Sequence, residues 1–222
     1  MIAPDLGSWI LYQEKNWLVV NKPAGLSVHN DPDRDLISLF SRFLKAPVSP
    51  VYRLDQETSG LILLSLSSEV TATWHKALEG ADKEYICLVR GNLAKAGTSA
   101  EGVWKLPLTD KAEGRKNPQG AAAERKPCET HFQIIKANSY ISKLRCQIRT
   151  GRQHQIRKHA ALSGHAILGD ARYGDPKYNQ MIESRYQFSR LALHAHRLKC
   201  VFAGQVREWQ CPAPPEFDLV LA

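Results

Sequence analysis

The sequence contains no apolar run that approaches the roughly 20 residues needed to span a membrane. Its first residues also lack the basic and apolar segments of a signal peptide. The five cysteines are scattered and form no CxxC pair, which predicts reduced thiols rather than a disulfide framework or a zinc site. We therefore expect a cytoplasmic protein without a membrane anchor.

Acidic residues are missing from one long stretch, residues 130–169, which holds seven lysines and arginines. Because the formal net charge is +8, nearly all of the excess charge lies there. Period-two alternation predicts a strand with one apolar face and one basic face, the latter formed by Lys143, Arg145 and Arg149. A solvated face usually mixes charge signs. We therefore expect this one to bind the phosphates of a polyanion such as a nucleic acid.

The length of 222 residues and the hydrophobic fraction of 43% predict one domain over 1–222, with an excursion or hairpin at 92–126. The excursion is rich in Ala, Gly, Lys and Pro, and its strand-like piece lies near 104–108. Strands are predicted elsewhere at 9–12, 17–21, 61–66, 86–89, 130–136, 140–149 and 191–198. Helices are predicted over 33–45, 67–79 and 150–164.

The third predicted helix opens with Thr150 and Gln153, which fit a capping box, and closes at Gly164. Arg152 lies near its amino end, where a positive charge opposes the helix dipole. A local rule broken without local gain indicates function, so we count Arg152 among the candidate binding residues.

The stretch VYRLDQETSGL, residues 51–61, precedes a run of pure hydrocarbon. Asp55 is therefore predicted on a loop that leads directly into the core. Ionised carboxylates are seldom placed so close to a dry interior unless a partner offsets their desolvation. The same residues are also typical of a plain turn, since Asp, Glu, Thr, Ser and Gly all form turns. The spacing alone leaves both interpretations open.

The sequence gives little support to other kinds of active site. His194 and His196 share a predicted strand face, but no histidine spacing matches a metalloenzyme motif, so we expect no metal. A retaining glycosidase would need a second carboxylate near Asp55, and Glu57 would face elsewhere in an extended loop. Neither a dinucleotide fingerprint nor a P-loop is present.

Several motifs together resemble one family. YRLDQETSGL resembles the HRLDxxTSGL signature of the RluA-type pseudouridine synthases. Further pieces follow the order of that family: NKPAGLSVH at 21–29, KEYICLVRG at 83–91, TGRQHQIRKHAALSGHAILGDARYG at 150–174 and RLALHAHRL at 190–198. These pieces cover most of the chain outside 92–126.

The resemblance implies an α+β fold, with a long, mostly antiparallel mixed sheet, flanking helices and a central active cleft. It implies isomerisation of uridine to pseudouridine in structured RNA, an rRNA or tRNA stem-loop, without metal or cofactor. We expect a monomer that acts through RNA contacts. The alternative is a non-catalytic RNA-binding or RNA-chaperone protein on the same fold.

The resemblance also implies roles for single residues. Asp55 matches the essential aspartate, Arg157 the arginine that pairs with it, and Tyr85 the tyrosine that stacks on the uracil. Arg53 matches the arginine that holds the target base out of the helix, and Leu193 lies in the motif that packs against the base.

The sequence departs from the family in two places. Tyr52 stands where the signature usually has His, which puts contacts with the target loop in doubt more than catalysis. We also expect no S4 domain like that of many relatives, because NKPAG begins at residue 21. RNA selection is then expected to rest on the catalytic domain itself.

Overall fold

The computed structural model describes residues 5–94 and 99–221 of the chain. Of the predicted excursion at 92–126, residues 95–98 lie outside the described residues. The chain divides into two compact units, one of Met1–Asp82 with Ala195–Pro212 and one of Lys83–His194 with Ala213–Ala222. The single domain expected over 1–222 stays a prediction.

Within the described residues, ten strands form a mostly antiparallel sheet, so the predicted α+β class is confirmed. The strands are β1 Ile10–Glu14, β2 Trp17–Lys22, β3 Ser49–Pro50, β4 Ser59–Ser65, β5 Asp82–Arg90, β6 Glu101–Trp104, β7 Thr130–Ala137, β8 Ile141–Ile148, β9 Leu193–Phe202 and β10 Gln205–Gln210. The α-helices are α1 Leu36–Leu44, α2 Ser68–Ala77, α3 Gln155–Leu162, α4 Pro176–Tyr186 and α5 Glu216–Leu219. No helix in the described ranges is both long and apolar enough to cross a membrane.

The first unit is built on strand β4. Every residue of β4 is buried, as its run of apolar residues predicts. Strands β2 and β3 pair with it in antiparallel register, and β2 also pairs with β1 in antiparallel register. Gly60 is required in β4, because it has φ +107° and a Cβ there would lie 2.3 Å from the Ala195 carbonyl oxygen.

Helix α1 confirms the first helical pattern at its amino end. Asp35 is its N-cap, and its carboxylate accepts a hydrogen bond from the Ser38 N–H at 2.8 Å. Burial raises the pKa of Asp35, but the hydrogen bonds from Ser38, Asp31 and Asn30 outweigh it and leave the pKa below its ordinary value. The helix ends at Lys45, which adopts the left-handed conformation.

The second unit contains four antiparallel strands in the order β5–β8–β7–β6. Strand β8 confirms the predicted alternation at Leu144, Cys146 and Ile148, which are buried, while Lys143 and Arg145 lie on its other face. Arg149, predicted on the same basic face, follows the end of the strand. All five cysteines, each in the described part of the chain, are buried free thiols. That these thiols stay reduced remains a prediction.

Several element boundaries differ from the prediction; helix α1, for example, begins at Leu36 rather than at residue 33. The strand of the excursion is β6, which ends at Trp104 instead of beginning there. Helix α3 begins at Gln155, and its N-cap is His154 in the left-handed conformation rather than Thr150. The expected capping box does not form, because the Thr150 hydroxyl donates to the Gln155 side chain at 2.7 Å. Strand β10 and helices α4 and α5 have no counterpart among the predictions.

Candidate active site

Asp55 lies in a loop of the first unit that we call the aspartate loop, residues 51–58. The loop connects β3 to β4, so Asp55 precedes the buried strand by four positions, as predicted. A backbone hydrogen bond from the Thr58 N–H to the Asp55 carbonyl, 3.1 Å long, closes a turn within it. Asp55 itself is half-buried and Arg53 is exposed. The loop therefore combines the predicted turn with a carboxylate at the margin of the core.

A buried ammonium supports this loop. The Nζ atom of Lys22 donates to the carbonyl oxygens of Pro23 at 3.0 Å, Leu26 at 2.8 Å and Gln56 at 3.0 Å. The Lys22 side chain is 0% exposed. Taking an ammonium out of water is costly, and hydrogen bonds to several carbonyl oxygens offset that cost. Lys22 therefore joins the aspartate loop to the segment that follows β2.

A second pair of bonds joins the same two segments. The Gly25 N–H donates to the Gln56 carbonyl at 2.9 Å, and the Gln56 side-chain amide donates back to the Gly25 carbonyl at 3.1 Å. Gly25 has φ +85°, a conformation that L side chains rarely adopt. The KPAG residues, 22–25, thus hold Gln56, the residue next to Asp55, in place.

Tyr52 has a defined structural role. Its hydroxyl donates to the Leu61 carbonyl of β4 at 2.8 Å. This bond ties the residue before Arg53 to the strand that the aspartate loop enters. The substitution of tyrosine for the usual histidine therefore leaves the beginning of the loop anchored.

Tyr85 belongs to the second unit and lies on strand β5, paired in register with Cys146 of β8. Its side chain is buried, with 9% exposure. The sulfur atoms of Cys87 and Cys146 lie 3.6 Å apart, and this contact together with burial raises the pKa of the Cys146 thiol well above its ordinary value. The apolar setting of the β5–β8 pair is equally consistent with a tyrosine that packs in the core.

Arg157 is the third predicted catalytic residue and lies on helix α3. Its Nε and Nη2 atoms donate to the two carboxylate oxygens of Asp170, at 2.8 Å and 3.0 Å. The two side chains are 2% and 0% exposed, so this bidentate ion pair is fully buried. The resemblance did not assign any role to Asp170.

The loop that carries Asp170 closes around the ion pair. Oδ1 of Asp170 also accepts the backbone N–H groups of Arg172 at 2.9 Å and Tyr173 at 3.0 Å. The Arg157 guanidinium lies over the Tyr173 ring, 5.4 Å from its centroid. The Tyr173 hydroxyl is 2.9 Å from Nδ1 of His154, the N-cap of α3.

The remainder of α3 is buried on nearly every side. Residues 155–160 are all buried, although four of them are polar or charged. The Nζ of Lys158 donates to the Thr109 carbonyl at 2.9 Å, and this bond anchors the excursion to the helix. A helix enclosed in this way cannot turn about its axis without breaking buried hydrogen bonds.

His159 has one tautomer that satisfies its neighbours. Its Nε2 lies 2.8 Å from the Leu106 carbonyl, an acceptor, so Nε2 carries the proton. Nδ1 then accepts from the Thr130 hydroxyl at 2.8 Å. Burial lowers the pKa of His159 and outweighs the hydrogen bond to Leu106, while the charge of Lys158 lowers the pKa further.

The predicted phosphate-binding residues differ in how strongly other side chains engage them. Lys143 donates to Asp218 at 2.6 Å and is 12% exposed. Arg145 lies 3.4 Å from Glu84, and Arg152 pairs with Asp110 at 3.2 Å. Arg149 is exposed. Carboxylates from other parts of the chain therefore contact several basic residues of segment 130–169, which has no acidic residue of its own.

Two further predictions concern Leu193 and metals. Leu193 begins strand β9 and is 4% exposed. In the described parts of the chain, no group of three or more His, Cys, Asp or Glu side chains has an arrangement that could hold a metal ion. Independence from metal stays a prediction about the reaction.

Sequence reasoning missed Lys22 and Asp170 as members of the site. Both had a weak signal. Lys22 ends strand β2, WLVVNK, whose first four residues are apolar and buried, and Lys22 is buried like them. Asp170 is the first acidic residue after the acid-free residues 130–169, and it follows the basic helix α3 in the sequence.

Comparison with known proteins defines the class. The family model described as RNA pseudouridylate synthase matches residues 16–162. The chain belongs to this family, and it is an enzyme that isomerises uridine in RNA to pseudouridine.

The most informative relatives are bacterial. Ribosomal large subunit pseudouridine synthase C of Escherichia coli (strain K12) is 32% identical over 225 residues, which cover 96% of this chain and 68% of the relative. Synthase D of Salmonella typhimurium is 30% identical over 98% of this chain and 71% of the relative.

Solved structures share the fold. Human RNA Pseudouridylate Synthase Domain Containing 4 superposes with a TM-score of 0.79 at 23% identity, over 97% of this chain and 92% of that chain. Human RNA Pseudouridylate Synthase Domain Containing 1 gives a TM-score of 0.75 at 22% identity, over 92% of this chain and 83% of that chain.

Proposed function

We propose that the substrate is ribosomal RNA of the large subunit and that Asp55 is the carboxylate that acts on the target uridine. The names of the relatives in Escherichia coli and Salmonella typhimurium support the choice of RNA. The observation that carries the role of Asp55 is the bond from buried Lys22 to its neighbour Gln56. A loop that only reverses the chain needs no buried ammonium, whose desolvation is costly.

The reaction sets the chemistry that Asp55 must supply. Isomerisation breaks the C1′–N1 bond of uridine and forms a C1′–C5 bond, after which C5 loses a proton and N1 gains one. A carboxylate serves in each of three routes: addition to C6 of the base, attack on C1′ of the ribose, or abstraction of the 2′ proton. All three require an ionised carboxylate, which a nearby arginine favours.

The other site residues receive their roles from the family resemblance. Arg157 pairs with the catalytic carboxylate, Arg53 holds the base out of the helix, and Leu193 packs against it. Unstacking the base costs a few kcal/mol, and stacking on the Tyr85 ring returns about 1–3 kcal/mol. The phosphate contacts come from Lys143, Arg145, Arg149 and Arg152.

The remaining properties follow the same proposal. The protein acts in the cytoplasm as a monomer and uses neither metal nor cofactor. Its five buried free thiols support a reducing compartment. Light scattering of the purified protein should give a mass near 24.9 kDa, and turnover should survive dialysis against EDTA.

A pseudouridine map of total RNA tests the substrate. We expect that deletion of this protein removes a site from large-subunit rRNA, that wild-type protein restores it, and that Asp55→Asn does not. A site that disappears from tRNA instead would contradict the ribosomal assignment and keep the enzymatic one. Restoration by Asp55→Asn would contradict the role of the carboxylate.

A further inference from the structure

Asp170 makes more hydrogen bonds than charge neutralisation requires. Its Oδ2 accepts from Nε of Arg157, while Oδ1 accepts from Nη2 of Arg157 and from the backbone N–H groups of Arg172 and Tyr173. The Asp170 carbonyl in turn accepts from the Asn179 side chain at 3.1 Å. The carboxylate is thus held in one orientation by its own loop.

The rigidity of Asp170 passes to Arg157. A guanidinium is planar and presents five N–H donors in a fixed fork. Two parallel bonds to one carboxylate therefore fix its plane and the direction of its remaining edge. The Tyr173 ring, 5.4 Å from the guanidinium carbon, limits movement out of that plane.

Stability alone is a poor explanation for this arrangement. Burying an ion pair usually stabilises a fold no better than packed hydrocarbon of the same volume. The guanidinium is 2% exposed and uses the Nε–Nη2 edge for Asp170, so three of its five donors lie on the other side. An arginine that only filled the core would not need a fixed direction for those donors.

We propose that Asp170 is a positioning residue, which aims the Nη1 side of the Arg157 guanidinium at the reacting groups. This inference rests on the proposed function, in which Arg157 acts on the catalytic carboxylate. Asp170 itself is not assigned a contact with substrate.

The first test is Asp170→Asn in the full-length protein. Asn keeps the shape and an oxygen for the backbone N–H groups, but its amide would point a donor at a donor of Arg157. We expect kcat to fall by about 10²-fold, the size of effect that a displacement near 1 Å produces, with KM for RNA unchanged. Asp35→Asn is the matched control, because Asp35 is also buried and also accepts backbone N–H groups. It should keep the wild-type kcat.

A double-mutant cycle distinguishes positioning from a merely structural role. In an Arg157→Met background, Asp170→Asn should add almost nothing to the loss of kcat, because the group it positions is gone. If the two losses multiply, Asp170 acts independently of Arg157 and the inference is wrong. All variants are assayed at a temperature where circular dichroism shows them folded.

Asp170→Glu covers the case in which Asp170→Asn does not fold. Glu keeps the charge of the buried pair and moves the carboxylate by one methylene. We expect a folded protein with kcat at least 10-fold lower, and wild-type kcat would contradict the inference. The role of Arg157 in the proposed function is tested separately. If Arg157→Met keeps wild-type turnover, Arg157 has no catalytic role. If only Arg157→Met is inactive and the Asp170 variants are fully active, the positioning role alone is refuted.

Discussion

Lys22 donates a hydrogen bond to the Gln56 carbonyl at 3.0 Å, across 34 residues of sequence and with its side chain 0% exposed. The bond connects the end of β2 with the residue next to Asp55. The lysine therefore helps to hold the backbone next to Asp55 in position.

Lys22→Met should destabilise the protein. Met keeps the length of the side chain but removes the donor to the Pro23 and Leu26 carbonyl oxygens, while the Gln56 carbonyl keeps its bond from the Gly25 N–H. Each unsatisfied buried group costs about 1–3 kcal/mol. We expect the free energy of unfolding in urea to fall by about 3 kcal/mol or more. Lys15→Met, at an exposed position of the β1–β2 turn, should change it by about 0.5 kcal/mol at most. Equal effects of the two substitutions would refute the buried support.

Asp55→Asn should remove turnover and leave folding and RNA binding nearly intact. Asn preserves the shape of the side chain and loses the charge that all three chemical routes require. Single-turnover conversion of an RNA substrate measures the loss, and a binding titration measures the affinity. Activity near wild type would return Asp55 to the simple turn, since Asn suits turns equally well.

Tyr85→Phe separates two roles of the tyrosine. The first role is stacking of its ring on the uracil. The second, which we propose here, is acceptance by its hydroxyl of the proton that leaves C5 after the base has turned, and Phe removes only this hydroxyl. We expect turnover to fall by about 10²-fold or more, the usual effect of losing a general base, with unchanged RNA affinity and unfolding temperature. Wild-type turnover would leave stacking as the sole role. A large loss of thermal stability would instead favour a core tyrosine.

His159 should make stability depend on pH. Its pKa is lowered in the fold, chiefly by burial, so the native state resists protonation. Above about pH 6.5 the imidazole is neutral in both states and adds no pH dependence. Below that pH the unfolded chain binds a proton that the native state does not, so stability falls by up to about 1.4 kcal/mol per pH unit, until the native pKa is reached.

Urea unfolding between about pH 7.5 and about pH 5.5, which brackets the ordinary histidine pKa, measures this slope. His159→Gln should reduce it even if the variant is less stable throughout. His75→Gln, which removes an exposed histidine of helix α2, is the control variant. Identical slopes in all three proteins would show that His159 titrates normally.

The residues of the predicted basic face should contribute unequally to RNA binding. Removing one side chain that binds a phosphate makes the slope of log affinity against log salt shallower by about 0.7–0.9. We expect a change of this size for Arg149→Ala, because Arg149 is exposed, and a clearly smaller one for Lys143→Ala, because Asp218 holds that lysine. A larger effect for Lys143 would show that RNA displaces Asp218. An unaltered slope in both variants would place the RNA elsewhere.

Local sequence patterns correctly predicted the elements in which the burial of successive residues follows a simple rule. The continuous apolar run of β4 and the alternation in β8 depend on which side of the backbone each residue faces, a property of neighbouring residues alone. The helical spacing from residue 33 also predicted α1, although its N-cap is Asp35 and the helix begins at Leu36.

Helix α3 begins later than predicted because the side chains at its start form hydrogen bonds with distant residues. The side-chain amide of Gln155 donates to the Glu129 carbonyl at 2.9 Å, and its oxygen accepts from Thr150. Thr150 and Gln153 fit a capping box by spacing, but these contacts start the helix at Gln155 instead. Six consecutive buried residues also leave no amphipathic period to read.

The sequence by itself determined the family, the candidate aspartate and the concentration of positive charge in residues 130–169. Only the tertiary structure decided what supports them. Lys22 binds backbone carbonyl groups, which every residue type carries, so no sequence pattern reveals its partners. Asp170 and Arg157 are 13 residues apart, and Asp218 reaches Lys143 across 75. Which opposite charges meet depends on the path of the chain between them, and that path is a property of the whole fold.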